Sequence, residues 1–356
     1  MENIKFVIEK SARIDKLVND LYAKMPEIES ARGVLVTESY QATEDLPIVK
    51  RRSAAFAHIL RNIPIVIRDG ELIVGSATVA PRGCQVFPEY SYEWLEAEFD
   101  TVATRAADPF YISEKTKSEL HKAYTYWKGK TCSDLAKANM APAAYEAFTV
   151  HGMFTPGNYF YNGIGHVNVN YGKVLKVGYR GIIAEAQAAL GKLEVYDPEY
   201  VQRVNFLTAV IESCEAVVEY ARRYAVLARE MAKKEKNPDR KAELERIAAN
   251  CMHVPEFPQR TSTKRARASG LFSFFCRWNR ADTPFPPGAS ISICIRTIKR
   301  ISKRARLREK ARKNCSTVFG LNSTISIRYA TRLLRMGLRV TVCSKTLSSA
   351  VKTNTV

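Results

Sequence analysis

The sequence lacks the short motifs that identify most common classes of enzyme and metal-binding protein. It contains no phosphate-binding P-loop, no GxGxxG dinucleotide fingerprint, no HExxH zinc motif and no GxSxG nucleophile motif. Its eight cysteines form no CxxC pair and no His/Cys metal spacing, so neither a zinc site nor a disulfide-rich secreted domain is indicated. Scattered cysteines in a chain of 356 residues are typical of a reduced, cytoplasmic protein.

Long hydrophobic runs are also missing. No stretch of 18 apolar residues is present, which argues against a membrane-spanning helix. The opening stretch MENIKFVIEKSARIDKL contains no continuous apolar segment and therefore does not resemble a signal peptide. We therefore predict a cytoplasmic protein with no membrane partner.

Acidic residues are almost absent from the last part of the chain. Residues 262–356 contain 21 Lys and Arg but only Asp282 and Glu309, whereas residues 1–261 contain 34 basic and 34 acidic residues. The net charge of +19 therefore belongs entirely to the C-terminal part. The composition predicts two parts, a neutral part over residues 1–261 and a basic, Ser/Arg-rich tail over residues 262–356.

The neutral part is mainly α-helical by pattern. Apolar residues at three- and four-residue spacing predict helices over residues 9–32, 47–62, 91–100, 113–127, 173–193, 200–235 and 239–252. Tyr220 and Tyr224 belong to the apolar stripe of the longest one. Two β-branched runs around Asp69-Gly70 predict a hairpin over residues 63–76, and residues 77–92 are predicted to form a loop.

Among the five histidines, His166 is the strongest candidate for chemistry. It lies in a loop rich in Gly, Asn and Tyr over residues 151–172, and such a loop can approach a small polar ligand closely. A neutral imidazole there can form a hydrogen bond with a substrate hydroxyl, or it can only hold the loop in place. His58 and His121 lie in helical patterns, which favours a role in packing or on the surface.

Two pairs of acidic residues are compatible with acid–base chemistry. They are Glu89 with Glu93 and Asp69 with Glu71. Carboxylates of this kind are more often solvated or capping groups, because most acidic residues lie on the surface. From residue patterns alone, the sequence predicts a helical protein with one candidate polar pocket.

Five blocks of the neutral part resemble glycyl radical enzymes of the pyruvate formate-lyase superfamily. The blocks are residues 35–60, 63–76, 85–100, 126–131 and 161–178. The resemblance extends over about residues 10–261, in the order of the family. The block FT-x-GNY-x-YNGIGHV, residues 154–167, looks most like the coenzyme B12-independent glycerol and diol dehydratases and less like pyruvate formate-lyase itself.

The resemblance implies a fold, a radical and partners. The family fold is an α/β barrel of ten strands wrapped by helices, and residues 1–261 would form its mainly α-helical N-terminal segment. A radical S-adenosylmethionine activase installs a glycyl radical, which passes to a cysteine that abstracts hydrogen from a small polyol before water leaves. In the dehydratases, the histidine of the GHV block contacts a substrate hydroxyl, and this role carries over to His166. The resemblance also implies a homodimer.

The sequence departs from the family pattern in the residues that perform the chemistry. None of its cysteines lies in a GCVE-like block, and no RVxGY-like glycine block is present. Cys84 lies in an N-terminal loop, where the family does not place its catalytic cysteine. Family members are also more than twice as long as this chain. We therefore expect an inactive chain with no catalytic residue, no metal and no bound cofactor.

The resemblance stops abruptly after Thr261, and a shift of one base explains the break. Read one base out of register, the codons of residues 262–265 permit YEA, which is the continuation typical of the family. Residues 282–298 permit HSISPGRFDQYMYPYY, and residues 314–330 permit LLDC-x-WIKLNDINKVRD, both similar to the next stretches of the family. We therefore predict that residues 262–356 are an out-of-frame translation without a stable fold.

Two other interpretations stay open at this point. The neutral part also fits the N-terminal segment of a formate acetyltransferase of the pyruvate formate-lyase type. The basic run over residues 298–313 has the composition of a nucleic-acid-binding arm, although a shifted frame explains its charge without selection for binding. Glycerol, propane-1,2-diol and pyruvate are not distinguished as substrates, because the discriminating residues lie beyond Thr261.

Overall fold

The computed structural model describes residues 12–106, 108–153 and 170–258, and helices predominate within them. In chain order they are α1 (Ala12–Tyr22), α2 (Ala31–Ala42), α3 (Ile48–Asn62), α4 (Glu93–Glu96), α5 (Glu114–Trp127), α6 (Cys132–Ala138), α7 (Pro142–Thr149), α8 (Tyr171–Leu190), α9 (Tyr200–Lys234) and α10 (Pro238–Cys251). The same residues contain two short strands, β1 (Glu27–Glu29) and β2 (Gly83–Gln85). The predicted mainly helical character is confirmed, although β2 lies inside the segment predicted as a loop.

Helix α9 is the central element of the core. It has 35 residues, is about 52 Å long at the usual helical rise, and packs along α3, α8 and α10. Ala216, Ala225 and Ala228 on its inner face are fully buried, and such small side chains let the neighbouring helices approach closely. Tyr220 and Tyr224 are fully buried too, which confirms the predicted apolar stripe. No helix of the described residues is long and apolar enough to cross a membrane.

The two strands form a small parallel sheet that joins distant parts of the chain. Its register places Ile28 opposite Cys84. The carboxylate of Glu29 accepts hydrogen bonds from the backbone N–H groups of Val79 and Ala80, at 3.1 and 2.7 Å. The Glu29 side chain therefore holds the loop before β2 against β1, in addition to the hydrogen bonds between the two strands.

The predicted helix over residues 9–32 is wrong in its second half. Helix α1 ends at Tyr22, the chain continues into β1, and α2 begins only at Ala31. Pro26 explains the break, because proline lacks a backbone N–H and disfavours helical geometry in the residue before it. Its carbonyl oxygen instead accepts a hydrogen bond of 2.7 Å from the N–H of Tyr111.

Residues 63–76 contain the predicted turn but not the predicted hairpin. Gly70 has a φ of 76°, as the turn at Asp69-Gly70 requires. The two β-branched runs on either side of this turn do not pair as strands. Side chains instead form hydrogen bonds with backbone carbonyl oxygens of this segment and of the loop that follows it. The Arg68 guanidinium donates to the carbonyl oxygens of residues 78–80 at 2.8–3.1 Å, and Arg240 of α10 donates to the carbonyl of Arg68 at 3.1 Å.

Candidate functional site

His166, the predicted substrate contact, lies outside the described residues, but the chain on both sides of it is described. Upstream, α7 ends at Thr149. Downstream, α8 begins at Tyr171, and the side chain of Asn170 accepts a hydrogen bond of 3.0 Å from the N–H of Lys173. This contact is a helix N-cap, which fixes the point where α8 begins after the His166 segment.

Helix α8 is broken at Gly178, which has a φ of 68° and a ψ of 174°. The break frees two backbone donors, and the N–H groups of Tyr179 and Arg180 bond to the carbonyl oxygens of Pro255 and Glu256 at 3.1 and 3.0 Å. A Cβ at position 178 would lie 2.3 Å from the Glu256 carbonyl oxygen. Only glycine satisfies both the positive φ and this close approach.

The two halves of α8 bend towards each other at this break. Lys173 in the first half forms an ion pair with Glu185 in the second half. In a straight helix, residues twelve apart are separated by about 18 Å, which is beyond the reach of these two side chains. The ion pair therefore shows a sharp change of direction at Gly178.

The side chain of Glu256 connects the same segment to two helices. It is 3 % exposed, and its Oε1 accepts from Nε and Nη2 of Arg180 on α8 at 3.0 and 2.5 Å. Its Oε2 accepts from Nη2 of Arg222 on α9 at 2.8 Å. Both oxygens therefore form charge-assisted hydrogen bonds, which are the stronger kind. We call this arrangement of Gly178, Arg180, Arg222 and Glu256 the Gly178–Glu256 junction.

Sequence reasoning missed this junction. It assigned Gly178 to the interior of a helix over residues 173–193 and gave Glu256 no role. A weak signal was present, because a glycine inside a helical pattern is unfavourable and often has a packing reason. The partner of Gly178 lies 78 positions later in the chain, near Pro255 and Pro258, and no local pattern links the two places.

Two of the other histidines occupy surface positions on helices. Nε2 of His58 on α3 lies 3.0 Å from a carboxylate oxygen of Glu38. Nδ1 of His121 on α5 lies 2.7 Å from a carboxylate oxygen of Glu96. Both rings are exposed and paired with a local acid. This agrees with the packing or surface role that the helical patterns favoured.

Two of the candidate acids form buried ion pairs. Glu89 makes a two-point contact with Arg32, at 2.5 and 3.0 Å, and Arg32 is 2 % exposed. Glu71 is also buried and lies 3.0 Å from Arg68, and burial raises the pKa of the Glu71 carboxyl above its usual range. Glu71 also caps the backbone N–H of Arg68 at 2.9 Å, and the other two candidate acids, Asp69 and Glu93, are exposed, so only Glu89 departs from the solvated or capping role that the sequence favoured. Glu71 and Glu89 hold loops in place and leave no open acid–base pair.

Three of the four cysteines in the described residues occupy structural positions, and the fourth, Cys132 at the start of α6, is exposed. Cys84 lies in β2, and Cys214 and Cys251 are buried in α9 and α10. Burial raises the pKa of Cys84 and of Cys214 to about 12, so both thiols stay protonated at neutral pH. Within residues 12–106, 108–153 and 170–258, no group of three or more His, Cys, Asp or Glu residues is arranged to hold a metal ion.

Comparisons with known proteins agree with the residue blocks of the neutral part. The family model described as pyruvate formate lyase-like matches residues 7–264. The (2S)-3-sulfopropanediol dehydratase of Klebsiella oxytoca is 37% identical over 246 residues, which cover 68% of this chain and 30% of the relative. A solved structure on 1,2-propanediol dehydration in Roseburia inulinivorans matches with a TM-score of 0.84 and 46% identity, over 88% of this chain and 38% of that one.

A second solved structure leads to the same family. The glycerol-bound B12-independent glycerol dehydratase of Clostridium butyricum matches with a TM-score of 0.83 and 38% identity, over 88% of this chain and 39% of that one. The chain thus spans about 30% of the length of the curated relative and less than 40% of each solved one. The prediction of a mainly helical segment of the glycyl radical enzyme fold is confirmed. The chain belongs to the pyruvate formate lyase-like family of glycyl radical enzymes.

Proposed function

We propose that residues 1–261 are the N-terminal segment of a glycyl radical dehydratase that removes water from a small polyol, either glycerol or propane-1,2-diol. The observation that supports this most is the 46% identity with the structure on 1,2-propanediol dehydration, together with a YNGIGHV block of the dehydratase type. The chain spans only part of its relatives, so the reaction belongs to the longer protein. Water elimination converts the vicinal diol into an aldehyde without net oxidation or reduction.

In this proposal, His166 binds the substrate. An imidazole can donate one hydrogen bond and accept another, which suits a hydroxyl that must be held and then lost. The block that contains His166 supports the proposal, because its sequence is of the dehydratase type. We also propose the activating enzyme and a second copy of the intact protein as partners, as the family implies.

The radical chemistry of the family needs a cysteine and a glycine in two sequence blocks, GCVE-like and RVxGY-like, and neither block is present in this sequence. Cys84 lies in the strand β2, Cys214 and Cys251 are packed in the helical core, and Cys132 begins the surface helix α6 outside any such sequence block. These residues do not fit a radical centre, so no step is assigned to them. We propose that the chain of 356 residues is inactive, and that residues 262–356 are read from a shifted frame.

Restoring one base after codon 261 tests the function. The restored enzyme, activated anaerobically by a radical S-adenosylmethionine activase, is expected to form an aldehyde from glycerol or propane-1,2-diol. The chain of 356 residues is the matched negative control. His166→Ala in the restored enzyme should lower kcat/KM at least about tenfold, because one substrate hydrogen bond is lost.

Other substrates are separated in the same assay. Formation of formate from pyruvate and coenzyme A, without turnover of either diol, would support the formate acetyltransferase alternative. Turnover of sulfopropanediol alone would keep the dehydratase class and change the substrate to an anionic one. A restored, activated enzyme that acts on none of these compounds would refute the proposed function.

A further inference from the structure

We propose that one end of the bundle formed by α3, α8 and α9 is an apolar docking surface for the C-terminal part of the intact enzyme, which this chain lacks. We call it the apolar end, and it consists of Ile48 in α3, Val195 and Tyr196 in the loop between α8 and α9, and Val201 and Phe206 in α9. The inference rests on the proposed function only because both describe the chain as the N-terminal segment of a longer protein. It assigns no residue to the reaction.

The course of the helices brings these residues to the same end. Nζ of Lys50 on α3 lies 3.4 Å from Oγ1 of Thr208 on α9. Further along both helices, Arg223 of α9 donates to the carbonyl oxygen of Leu60 at 2.7 Å. The two helices therefore run parallel and begin at the same end. Helix α8 ends there, because the short loop 191–199 joins it to the start of α9.

All five side chains of the apolar end are exposed in this chain. Their exposed fractions range from 58% for Phe206 to 81% for Tyr196. Single apolar side chains on a surface are ordinary, but a cluster on adjoining elements is typical of an interaction surface. Aromatic side chains are also enriched at such surfaces.

The loop that carries Val195 and Tyr196 is held in a defined conformation. Arg203 forms ion pairs with Asp197 at 2.7 Å and with Glu199 at 2.9 Å. The backbone N–H of Glu199 donates to a carboxylate oxygen of Asp197 at 2.9 Å. Because the loop is ordered before any partner arrives, docking costs little additional conformational entropy.

The composition of α9 indicates what kind of surface covers this end. Residues 200–211 contain one charged residue, Arg203, whereas residues 212–234 contain nine. Of the first twelve residues, only Ala209 is buried, and the apolar ones lie on every side of the helix. A helix that is apolar all round is typical of the core of a large protein, whereas a surface helix keeps one polar face. The start of α9 therefore has the composition of a core helix in an exposed position.

These observations favour the missing part of the same protein as the occupant. The chain spans less than 40% of each solved relative, so most of the intact protein lies outside it. A second copy docked on the apolar end would bury one face of α9 and leave the opposite face in water. Enclosure in a larger core buries all sides, as the composition of residues 200–211 requires.

The first test compares two cysteine variants of α9, Phe206→Cys and Val226→Cys, at positions that are 58% and 55% exposed. Val226 lies in the charged part of the helix and is the matched control. In the chain of 356 residues, a maleimide should modify both thiols at rates within about threefold of each other. In the frame-restored enzyme, the thiol at position 206 should react at least about a hundredfold more slowly, and the thiol at position 226 within about threefold of its earlier rate. Mass spectrometry of the labelled peptides measures each position.

Three results would overturn the proposal. They are rapid labelling at position 206 in the restored enzyme, equal protection at both positions, and protection that disappears when the enzyme is diluted to monomers, which would assign the apolar end to a second copy. Labelling requires no turnover. A restored enzyme that acts on no diol would refute the proposed function and still answer this question.

The second test uses the effect of a charge at position 206. In the chain of 356 residues, Phe206→Asp should shift the midpoint of thermal unfolding by less than about 1 °C, because the side chain meets water. In the frame-restored enzyme, the same change should lower the midpoint by at least about 3 °C, because the charge enters a core. An equal loss in both proteins would show that the chain of 356 residues covers this end itself, contrary to the proposal.

Discussion

The helical layer, formed by α3, α8, α9 and α10, and the loop layer, formed by residues 63–106, hold their buried backbone in different ways. In the helical layer the backbone hydrogen bonds are local except at the break at Gly178, and fully buried alanines such as Ala225 allow close packing. In the loop layer, the carbonyl oxygens receive hydrogen bonds from Arg32, Arg68 and Arg240. The first layer therefore depends on side-chain volume, and the second depends on a few buried charges.

The largest effect is expected from removing a charge in the loop layer. Arg68→Met should lower the free energy of unfolding by about 3–5 kcal/mol, because the buried Glu71 loses its partner. The carbonyl oxygens of residues 78–80 lose their donor as well. Urea denaturation of the full chain measures this change.

A surface arginine provides the matched control for this prediction. Arg61 forms an exposed pair with Glu219, and Arg61→Met should cost less than about 1 kcal/mol. Equal losses for Arg61→Met and Arg68→Met would show that buried charges do not distinguish the loop layer.

A change of volume should affect the helical layer. Ala225→Leu inserts three heavy atoms into a fully buried position of α9 and should cost about 1–3 kcal/mol through overpacking. Val226→Leu, at a neighbouring position that is 55% exposed, is the control and should change stability little. A tolerated Ala225→Leu variant would contradict the close packing of α9.

The smallest effect concerns the dependence of the loop layer on pH. Burial raises the pKa of Glu29, although its hydrogen bonds to backbone N–H groups act in the opposite direction. The folded state therefore binds this proton more tightly than the unfolded state does, and the contribution of Glu29 to stability falls as pH rises from its unfolded pKa of about 4.3 towards the folded one.

The Glu29→Gln variant has no titratable group at this position and therefore serves as the reference. The stability of the wild type relative to Glu29→Gln should decrease as pH rises through that window, as measured by urea denaturation at several pH values. A difference that is constant with pH, or that increases, would contradict the raised pKa.

The sequence predicts the helical layer better than the loop layer, because the helical layer depends mostly on local hydrogen bonds and the loop layer on contacts between distant residues. Helices α3, α5, α8, α9 and α10 follow from apolar spacing, because their hydrogen bonds lie within a few residues. The prediction of a hairpin over residues 63–76 is wrong, because a side chain and not a second strand bonds to the backbone there. Arg240, which donates to the carbonyl oxygen of Arg68, lies 172 positions later in the chain. Residues that meet only after folding leave no periodic signal.

Two short helices were missed although their signals are local. Thr131 and Asp134 form a capping box at the start of α6, and Pro142 occupies the first turn of α7. Their apolar periodicity is weak because both helices are short. In contrast, the Gly178–Glu256 junction has no comparable local signal. Only the motif around His166 pointed to the proposed substrate site, and its place lies outside the described residues.

We propose that residues 1–261 and 262–356 come from two reading frames of one dehydratase gene, and sequencing that gene across codon 261 tests this most directly. We expect one missing base, followed by a long open frame that continues with a GCVE-like cysteine block and an RVxGY-like glycine block. An intact frame at codon 261, with no long open frame one base away, would contradict the proposal.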